Sequence, residues 1–277
     1  MSIDHTSLDG SAYVLGHVDA EIDRLLLQGR LHNDFTEHAL RLAGLRPGMR
    51  VLDVGCGPGD VSLIAARLVG PEGAVFGVDA APDVIGLARR RAAEQGLGNV
   101  RFEATTIADV CLDEPVDAVI GRLILMHLPD PVAALAHLAA MVRPGGVIAF
   151  CESDINGVYG VAEMPLFRVM KETVAKAFQA AGFDPAFGAK LPKVFRSAGL
   201  GVPRLTLGAP LGGADDTDII AYVAETWRSL FPLAERLGLI PDELADLDTL
   251  TQRLQDEAAA AQAIVVMPPL ICAWTQV

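Results

Sequence analysis

The feature that most constrains this chain is an apolar run that ends in alternating glycines, Arg50-Val-Leu-Asp-Val-Gly-Cys-Gly-Pro-Gly-Asp60. The apolar and β-branched residues around Asp53 predict a buried parallel strand, and the glycines predict a tight turn into a helix. Glycine reaches backbone angles that other residues avoid, and without a Cβ it lets a ligand touch the main chain. We therefore expect a strand, a turn and a helix, with a ligand at the turn.

A second apolar run, Ala74-Val-Phe-Gly-Val78, ends in Asp79. The Asp79 carboxylate is expected at the carboxyl end of a second strand, beside the glycine turn. An acid at that place accepts hydrogen bonds from the two hydroxyls of a ribose. The two motifs together predict a ligand that contains a nucleoside.

The spacing of the glycines bears on which nucleoside cofactor is expected. The dinucleotide fingerprint has a third glycine where this chain has Asp60, at the start of the helix on which a pyrophosphate rests. An acid there would repel a pyrophosphate, so NAD and FAD are disfavoured. A nicotinamide oxidoreductase is an alternative class, opposed by Asp60 and by the lack of a second catalytic domain pattern.

Strand-like and helix-like segments alternate after residue 47, which predicts an α/β fold with a doubly wound, mostly parallel sheet. We expect a helical N-terminal cap (1–46), a cofactor-binding core (47–152), and lid helices with C-terminal strands of the same domain (153–277). The predicted strands are 50–54, 74–79, 100–104, 116–121, 146–151, 202–207, 263–266 and 270–274. The predicted helices are 60–69, 83–95, 131–142, 160–181, 193–198, 217–237 and 241–262.

Composition argues against several partners. The 277 residues, of which 51% are hydrophobic, suffice for the core of one large domain. A net charge of −13 makes nucleic acid a poor partner. Several acids in the first thirty residues argue against a secretory signal, and the apolar run 258–274 is too interrupted to span a bilayer. We expect a cytoplasmic protein with a small-molecule substrate and no nucleic-acid or membrane partner. The sequence leaves open whether the protein forms a homodimer.

The four cysteines are Cys56, Cys111, Cys151 and Cys272, and none forms a C-x-x-C pair. The histidines also lack ligand spacing, so neither a structural zinc nor a disulfide framework is expected. Cys56, inside the glycine turn, is expected to contact the cofactor through its backbone, since nothing adjacent would lower its thiol pKa.

The pattern Asp53-x-Gly55-x-Gly57-x-Gly59, followed by Asp79, resembles the class I methyltransferases that bind S-adenosylmethionine (SAM), a ligand without phosphates. Further segments similar to that family are 99–106, 116–122, 125–130 and 142–150. The resemblance is strong over 47–152 and loose over 153–262. It implies a Rossmann-like, seven-stranded sheet whose last strand runs antiparallel, SAM as cofactor and S-adenosylhomocysteine as product.

The resemblance also implies which residues bind the cofactor: Tyr13, Asp53, Gly55, Cys56, Gly57, Gly59, Asp79, Ala80, Thr106, Ile107, Arg122 and Leu123. One departure is Thr106, which stands where the family usually has an acid for the adenine amino group. A threonine hydroxyl accepts that hydrogen bond more weakly than a carboxylate does. We therefore expect adenine contact at Thr106 and Ile107 through backbone and packing, and read Asp109, three residues on, as a surface residue.

Methyl transfer from a sulfonium is an in-line displacement, in which the protein aligns the acceptor and excludes water. An acceptor that must lose a proton also benefits from a nearby base. The candidates near the predicted mouth are His127, Glu152, Asp154, Tyr159 and Glu172, of which His127, Glu152 and Glu172 are put forward as catalytic.

Each catalytic candidate has a structural alternative. His127 packs beside the cofactor, Glu152 anchors the lid or caps a helix, and Glu172 belongs to an exposed charge ladder with Arg168 and Lys176. Mg²⁺ held by Glu152 and Asp154 is a disfavoured alternative to metal-free transfer.

The lid segment is mostly apolar, with Leu166, Phe167, Met170, Phe178, Phe183 and Phe187. It favours an apolar, aromatic or isoprenoid metabolite as acceptor, methylated at O, N or C in specialised metabolism, although a fold does not determine a substrate. Tyr222 and Trp227 are expected in the core, with an aromatic acceptor pocket as the alternative. The rival function is a protein of the same fold that binds the cofactor without methyl transfer, using it structurally or in a rearrangement or cyclisation.

Overall fold

The computed structural model describes residues 18–277, with side chains from residue 21 onward. The helices of this range are α1 Val18–Ala43, α2 Asp60–Val69, α3 Pro82–Glu94, α4 Pro131–Ala139, α5 Pro165–Ala180, α6 Phe187–Ser197, α7 Thr217–Arg236 and α8 Leu250–Ala260. The strands are β1 Arg50–Val54, β2 Ala74–Asp79, β3 Val100–Ala104, β4 Val116–Arg122, β5 Val142–Ser153, β6 Tyr159–Gly160, β7 Arg204–Gly208, β8 Leu211–Gly212, β9 Val265–Val266 and β10 Leu270–Gln276. Within this range no helix combines the length and the apolar composition needed to cross a bilayer.

Seven strands form one sheet in the order β3-β2-β1-β4-β5-β10-β7. Strands β1 to β5 pair in parallel, whereas β10 runs antiparallel to both β5 and β7. The strand order reverses at β1, which pairs with β2 on one side and β4 on the other. The predicted doubly wound sheet with an antiparallel final strand is confirmed, and the bounds of β1, β2 and β3 are those predicted.

Alternate residues of β1 point into two apolar layers, as the period of a strand requires. Val51 packs with Ile64 of α2 and Ile85 of α3 on one face of the sheet. Leu52 belongs to the layer on the other face, which continues to Trp227 of α7. Because helices bury both faces, the strands are apolar runs, and the ends of the strands remain for ligand binding.

The chain after β5 departs from the prediction at several places. The helix predicted over 193–198 begins at Phe187, and the one predicted over 160–181 begins at Pro165. The predicted strand at 263–266 does not join the main sheet, because β9 pairs with β6 and β8 in a separate three-stranded sheet. Pro268 and Pro269 separate β9 from β10, and proline has no N–H for a strand ladder. The helix predicted over 241–262 begins only at Leu250, after a short 3₁₀ helix at Asp242–Leu244.

Cys151 and Cys272 form a disulfide between β5 and β10. The antiparallel register places these residues directly opposite each other, with their Cα atoms 4.0 Å apart. The expectation that the cysteines form no disulfide framework therefore does not hold for this pair. Their separation of 121 residues carries no local signal of the contact, which only the strand register creates. Cys56 and Cys111 are free thiols.

Candidate active site

A cavity of about 510 Å³ lies at the carboxyl ends of β1, β2, β4 and β5, and helices α1, α3, α5 and α7 complete its wall. This is the end of the sheet at which ligands bind in doubly wound folds. The predicted site residues on the cavity wall are Gly55, Cys56, Gly57, Asp79, Arg122, Leu123 and His127. The structure thus brings together residues from three separate predicted motifs.

The glycine turn connects β1 to α2. Gly55, Gly57 and Gly59 have φ angles of 64°, 51° and 91°, in the left-handed region that favours glycine. A Cβ on Gly55 would lie 2.5 Å from Ile124, and one on Gly59 would lie 3.1 Å from Ala88. A Cβ on Gly57 would meet no atom of the described residues within 4 Å. Gly55 and Gly59 therefore serve the packing of the chain, whereas Gly57 leaves open space in which a ligand can approach the backbone.

Asp79 ends β2 and faces the turn. Its Oδ2 accepts a hydrogen bond from the Gly57 N–H at 2.9 Å, and its Oδ1 accepts one from the Ala81 N–H at 2.9 Å. Each oxygen keeps a further lone pair, so Asp79 can still accept from the hydroxyls of a ligand. Ala80, which was expected to bind the cofactor, is exposed and lies off the cavity wall. The next residue, Ala81, lines the cavity instead.

Asp53 was expected to bind the cofactor, but it lies fully buried beneath the turn and off the cavity wall. Its Oδ2 accepts a hydrogen bond of 2.5 Å from the Ser62 hydroxyl, so it joins β1 to α2. Burial raises the pKa of Asp53 to about 7, although the Ser62 hydrogen bond opposes that rise. Burial likewise raises the pKa of the Cys56 thiol, which keeps the thiol protonated near pH 7.

Asp60, the acid at the start of α2, is paired with Arg91 of α3. Two Arg91 nitrogens donate hydrogen bonds of 2.9 Å to its two oxygens, and Asn33 of α1 donates another at 3.1 Å. Burial raises the pKa of Asp60, but the hydrogen bonds and charge of Arg91, together with the Asn33 hydrogen bond and the charge of Arg122, outweigh burial, and the pKa is lowered. Arg91 also donates to the Pro58 carbonyl, at 2.5 Å. The acid that argues against a pyrophosphate thus holds the glycine turn between two helices.

Arg122 ends β4 and presents its guanidinium to the cavity. Its Nη1 donates to Asn33 Oδ1 at 3.0 Å and to the Thr36 hydroxyl at 2.9 Å. In the described part of the chain no carboxylate forms an ion pair with it, and burial lowers its pKa. Nearby, His32 is 3% exposed and lines the cavity, and its Nδ1 has no partner among the described residues. Burial, then the charge of Arg122, lower the pKa of His32 to about 3, so the imidazole is neutral.

Glu152, predicted as catalytic, is fully buried at the end of β5 and lies off the cavity wall. Its Oε1 accepts hydrogen bonds from the N–H groups of Ile124 at 3.1 Å and Leu125 at 2.8 Å. It therefore caps the short 3₁₀ helix Leu125–His127, which is the structural alternative. Burial raises the pKa of Glu152 to about 7 against these hydrogen bonds.

His127 is the predicted catalytic residue that the structure does place on the cavity wall. Its ring meets Phe183 edge-on, with the centroids 5.1 Å apart. Burial, then the charge of Arg24, lower the pKa of His127 to about 4. The imidazole is therefore neutral near pH 7.

The remaining base candidates lie off the cavity wall. Glu172 is exposed on α5, and its neighbour Lys171 lines the cavity instead. Asp154 caps another 3₁₀ turn by accepting from the Asn156 N–H, and Tyr159 is 53% exposed. Across residues 18–277, no three His, Cys, Asp or Glu side chains are grouped so that they could hold a metal ion.

The adenine-side residues Thr106 and Ile107 follow β3 and also lie off the cavity wall. The Thr106 hydroxyl donates to Asp109 Oδ2 at 2.6 Å and accepts from the Asp109 N–H at 3.2 Å. An acid is thus present beside Thr106, contributed by Asp109 rather than by position 106 itself. Tyr13 lies outside the described residues.

The lid contributes several side chains to the wall of the same cavity. Those contributed by α5 are Phe167, Met170, Lys171, Val174 and Phe178. Tyr222 of α7 also lines this cavity, and its hydroxyl accepts a hydrogen bond of 2.7 Å from Gln28. Trp227 is fully buried and donates to the Leu244 carbonyl at 3.0 Å. Tyr222 is 8% exposed and belongs to the same core cluster, so the core prediction holds for both, and Tyr222 also reaches the cavity.

Sequence reasoning did not assign Asn33, Arg91, His32 or Gln28 to the site. Gln28, His32 and Asn33 belong to α1, and Arg91 belongs to α3. Both helices are distant in sequence from the glycine turn. The one available signal was Arg89-Arg-Arg91, a cluster of cations near the end of a predicted helix.

A doubly wound sheet with a glycine turn, a following acid and a cavity at the strand ends defines a protein that binds a nucleoside cofactor. A family model described as a methyltransferase domain matches residues 45–196 of this chain, more than half of its length. The chain therefore belongs to this family, the class I SAM-dependent methyltransferases, and is an enzyme of that class.

Two curated relatives illustrate the similarity. An aklanonic acid methyltransferase of Streptomyces sp. (strain C5) is 42% identical over 106 residues, which are 37% of this chain and 47% of the relative. A ubiquinone/menaquinone biosynthesis C-methyltransferase of Marinomonas sp. (strain MWYL1) is 31% identical over 166 residues, covering 57% of this chain and 66% of the relative. The chain thus spans about half to two thirds of the length of these relatives.

Two solved structures share the fold. A SAM-dependent methyltransferase from Aquifex aeolicus superimposes with a TM-score of 0.52 at 22% identity, covering 70% of this chain and 92% of the other. The [4+2]-cyclase SpnF superimposes with a TM-score of 0.52 at 18% identity, covering 88% and 82%. Both likenesses concern the fold alone.

Proposed function

We propose that this protein transfers the methyl group of SAM to a small, mostly apolar metabolite, at oxygen, nitrogen or carbon, in specialised metabolism. The observation that carries the proposal is a single cavity whose wall combines two chemically different sets of residues. One set is the glycine turn with Asp79, and the other consists of apolar side chains of α5. Direct transfer between two molecules requires that both occupy one space from which water is excluded.

The lining residues contributed by the carboxyl ends of the strands and by the glycine turn fit the cofactor. Asp79 offers lone pairs to a ribose, and the space above Gly57 admits a ligand to the backbone. The guanidinium of Arg122 has no carboxylate partner among the described residues, and we assign it to the carboxylate of the methionine tail. The buried Nδ1 of His32 has no hydrogen-bond partner among the described residues, so a ligand can form a hydrogen bond with it. When bound, SAM supplies a methyl group activated by its positively charged sulfur.

The residues of the chain contribute to the reaction by orienting the acceptor, excluding water and accepting a proton. The apolar wall excludes water and aligns the acceptor, which is the larger effect for an already reactive donor. For acceptors that lose a proton, we assign the proton-accepting role to His127, which is neutral at pH 7 and faces the cavity. Its lowered pKa makes His127 a weaker base than one matched to neutral pH, which contributes roughly 10²–10⁴-fold to the rate.

Calorimetric titration with SAM, S-adenosylhomocysteine and NAD tests the cofactor assignment. We expect heats of binding for the first two and none for NAD. Asp79→Ala should weaken SAM binding by at least about tenfold, because the ribose loses charged acceptors. The control is Asp113→Ala, which removes an exposed carboxylate away from this cavity and should leave binding unchanged. Equal heats for SAM and NAD would contradict the proposal.

Methyl transfer itself is tested by incubating the protein with SAM and a panel of apolar phenols, amines and enols. Release of S-adenosylhomocysteine together with a product heavier by one methylene group is the expected result. Conversion of a compound with no S-adenosylhomocysteine released would instead favour the rival function, cofactor binding without methyl transfer.

A further inference from the structure

One side chain of the lid stands out from the apolar wall. On α5, the residues Phe167, Lys171, Val174 and Phe178 line the cavity, and they are spaced by four, three and four positions. That spacing defines one face of a helix. Lys171 thus lies in the middle of an otherwise apolar stripe, one turn after Phe167 and one turn before Val174.

The positive charge of Lys171 has no counterpart on the described part of the protein. No carboxylate of residues 21–277 forms an ion pair with its ammonium group, although the chain carries a net charge of −13. Solvent-exposed neighbours on the same helix, Glu172 and Lys176, do not reach the cavity.

Three of the four carboxylates that line the cavity are hydrogen-bonded to other groups of the protein. Glu21 is bound by Arg24 at 2.7 Å and by the Ser229 hydroxyl at 3.0 Å. Asp60 is bound by Arg91, and Asp79 by two backbone N–H groups. The fourth, Asp83, lies in the first turn of α3.

Lys171 is half-buried, and at this position in an otherwise apolar stripe its ammonium can form a charge-assisted hydrogen bond with an anion that enters the cavity. Resting on the proposed function, we propose that the acceptor is an apolar compound that carries a carboxylate, and that Lys171 binds this carboxylate. The apolar stripe of α5 covers the rest of the acceptor, so that Lys171 determines both its selection and its orientation. Lys171 is in this assignment a specificity-determining residue, and it has no part in the proton transfer.

Paired probe compounds of the same shape test the inference. The protein is first saturated with S-adenosylhomocysteine, and then 2-naphthoate and its neutral analogue 2-naphthamide are titrated separately. We expect 2-naphthoate to bind about tenfold more tightly, as a charge-assisted hydrogen bond in an apolar site would allow. Lys171→Met should abolish this preference, and Lys171→Arg should retain most of it.

Lys176→Met is the matched control, since it removes the same charge from an exposed position of the same helix. It should leave the preference for 2-naphthoate unchanged. Thermal melting and titration with S-adenosylhomocysteine check that each variant is folded, and Lys171→Gln replaces Lys171→Met if the latter does not fold.

The outcomes separate this inference from the proposed function. Absence of S-adenosylhomocysteine binding counts against the proposed function, and the two probes are then compared on the free protein. Equal affinity for the two probes, no binding of either at millimolar concentration, or a preference that survives Lys171→Met overturns the assignment of Lys171. A lysine that merely extends to solvent through the cavity mouth gives equal affinities.

Discussion

The ion pair between Asp60 and Arg91 gives the sharpest test of how the glycine turn is held. Arg91→Met removes the guanidinium while keeping most of the apolar stem. It leaves the Asp60 carboxylate, which is 6% exposed, with the Asn33 amide as its remaining side-chain donor. We expect the folded state to lose stability because a buried charge then lacks its compensating partner.

The magnitude follows from burial. Removing one partner of a buried ion pair costs roughly 3–5 kcal/mol. The Arg91 side chain is 20% exposed, so water partly replaces it, and we expect the lower end, about 3 kcal/mol. For a protein of this size that corresponds to a fall in melting temperature of about 6 °C. Because the folded pKa of Asp60 is lowered, this stabilisation is present above its ordinary pKa of 3.8 and is lost as the pH falls below that value.

Urea unfolding at neutral pH, followed by circular dichroism, measures the effect. Asp60→Asn and the double variant Asp60→Asn/Arg91→Met complete a thermodynamic cycle. The double variant should be more stable than the sum of the two single effects predicts, by about 2 kcal/mol. Arg90→Met, an exposed arginine on the same helix, is the control and should stay within about 0.5 kcal/mol of the wild type.

Two results would refute this reasoning. One is an Arg91→Met protein as stable as Arg90→Met, which would show that water or rearrangement satisfies the buried carboxylate. The other is strict additivity in the cycle, which would show that the two side chains do not stabilise each other.

Two further predictions concern the same end of the sheet. Gly55→Ala should cost about 2 kcal/mol or more, because a left-handed backbone and a Cβ 2.5 Å from Ile124 both oppose it. Gly57→Ala should cost only about 1 kcal/mol and instead weaken SAM binding, so urea unfolding and SAM titration on both variants separate packing from ligand contact. Glu152 contributes stability that is fully present below its ordinary pKa of 4.5 and is lost as the pH rises through its folded pKa of about 7. Between about pH 5 and pH 7.5 the wild type should therefore lose about 2 kcal/mol more than Glu152→Gln, and parallel pH profiles of unfolding would count against a buried, protonated Glu152.

The core of the fold was readable from the sequence because its signals are local. The glycines of the turn need positive φ angles that few other residues adopt, and apolar runs mark strands buried on both faces. These two features place Asp79 beside Gly57, and the structure shows the hydrogen bond that joins them. The lid was predicted less well, because β9 is only two residues long and its pairing with β6 and β8 depends on chain segments far apart.

The tertiary structure decided the roles of individual side chains. Lys171 and Glu172 are neighbours in sequence, and only the rotation of α5 against the sheet turns the first into the cavity and the second to solvent. Glu152 and Asp53 carry suitable chemistry, but both lie beneath the surface that a ligand can reach.

By itself, the sequence determined the doubly wound sheet, the glycine turn and the acid that follows it, since backbone preference and hydrophobic period act over a few residues. Only the folded chain decided that Asp60 pairs with Arg91 and that Cys151 bonds to Cys272. Those contacts join segments through helix packing and strand register. Their geometry depends on the whole core, so no local pattern announces them.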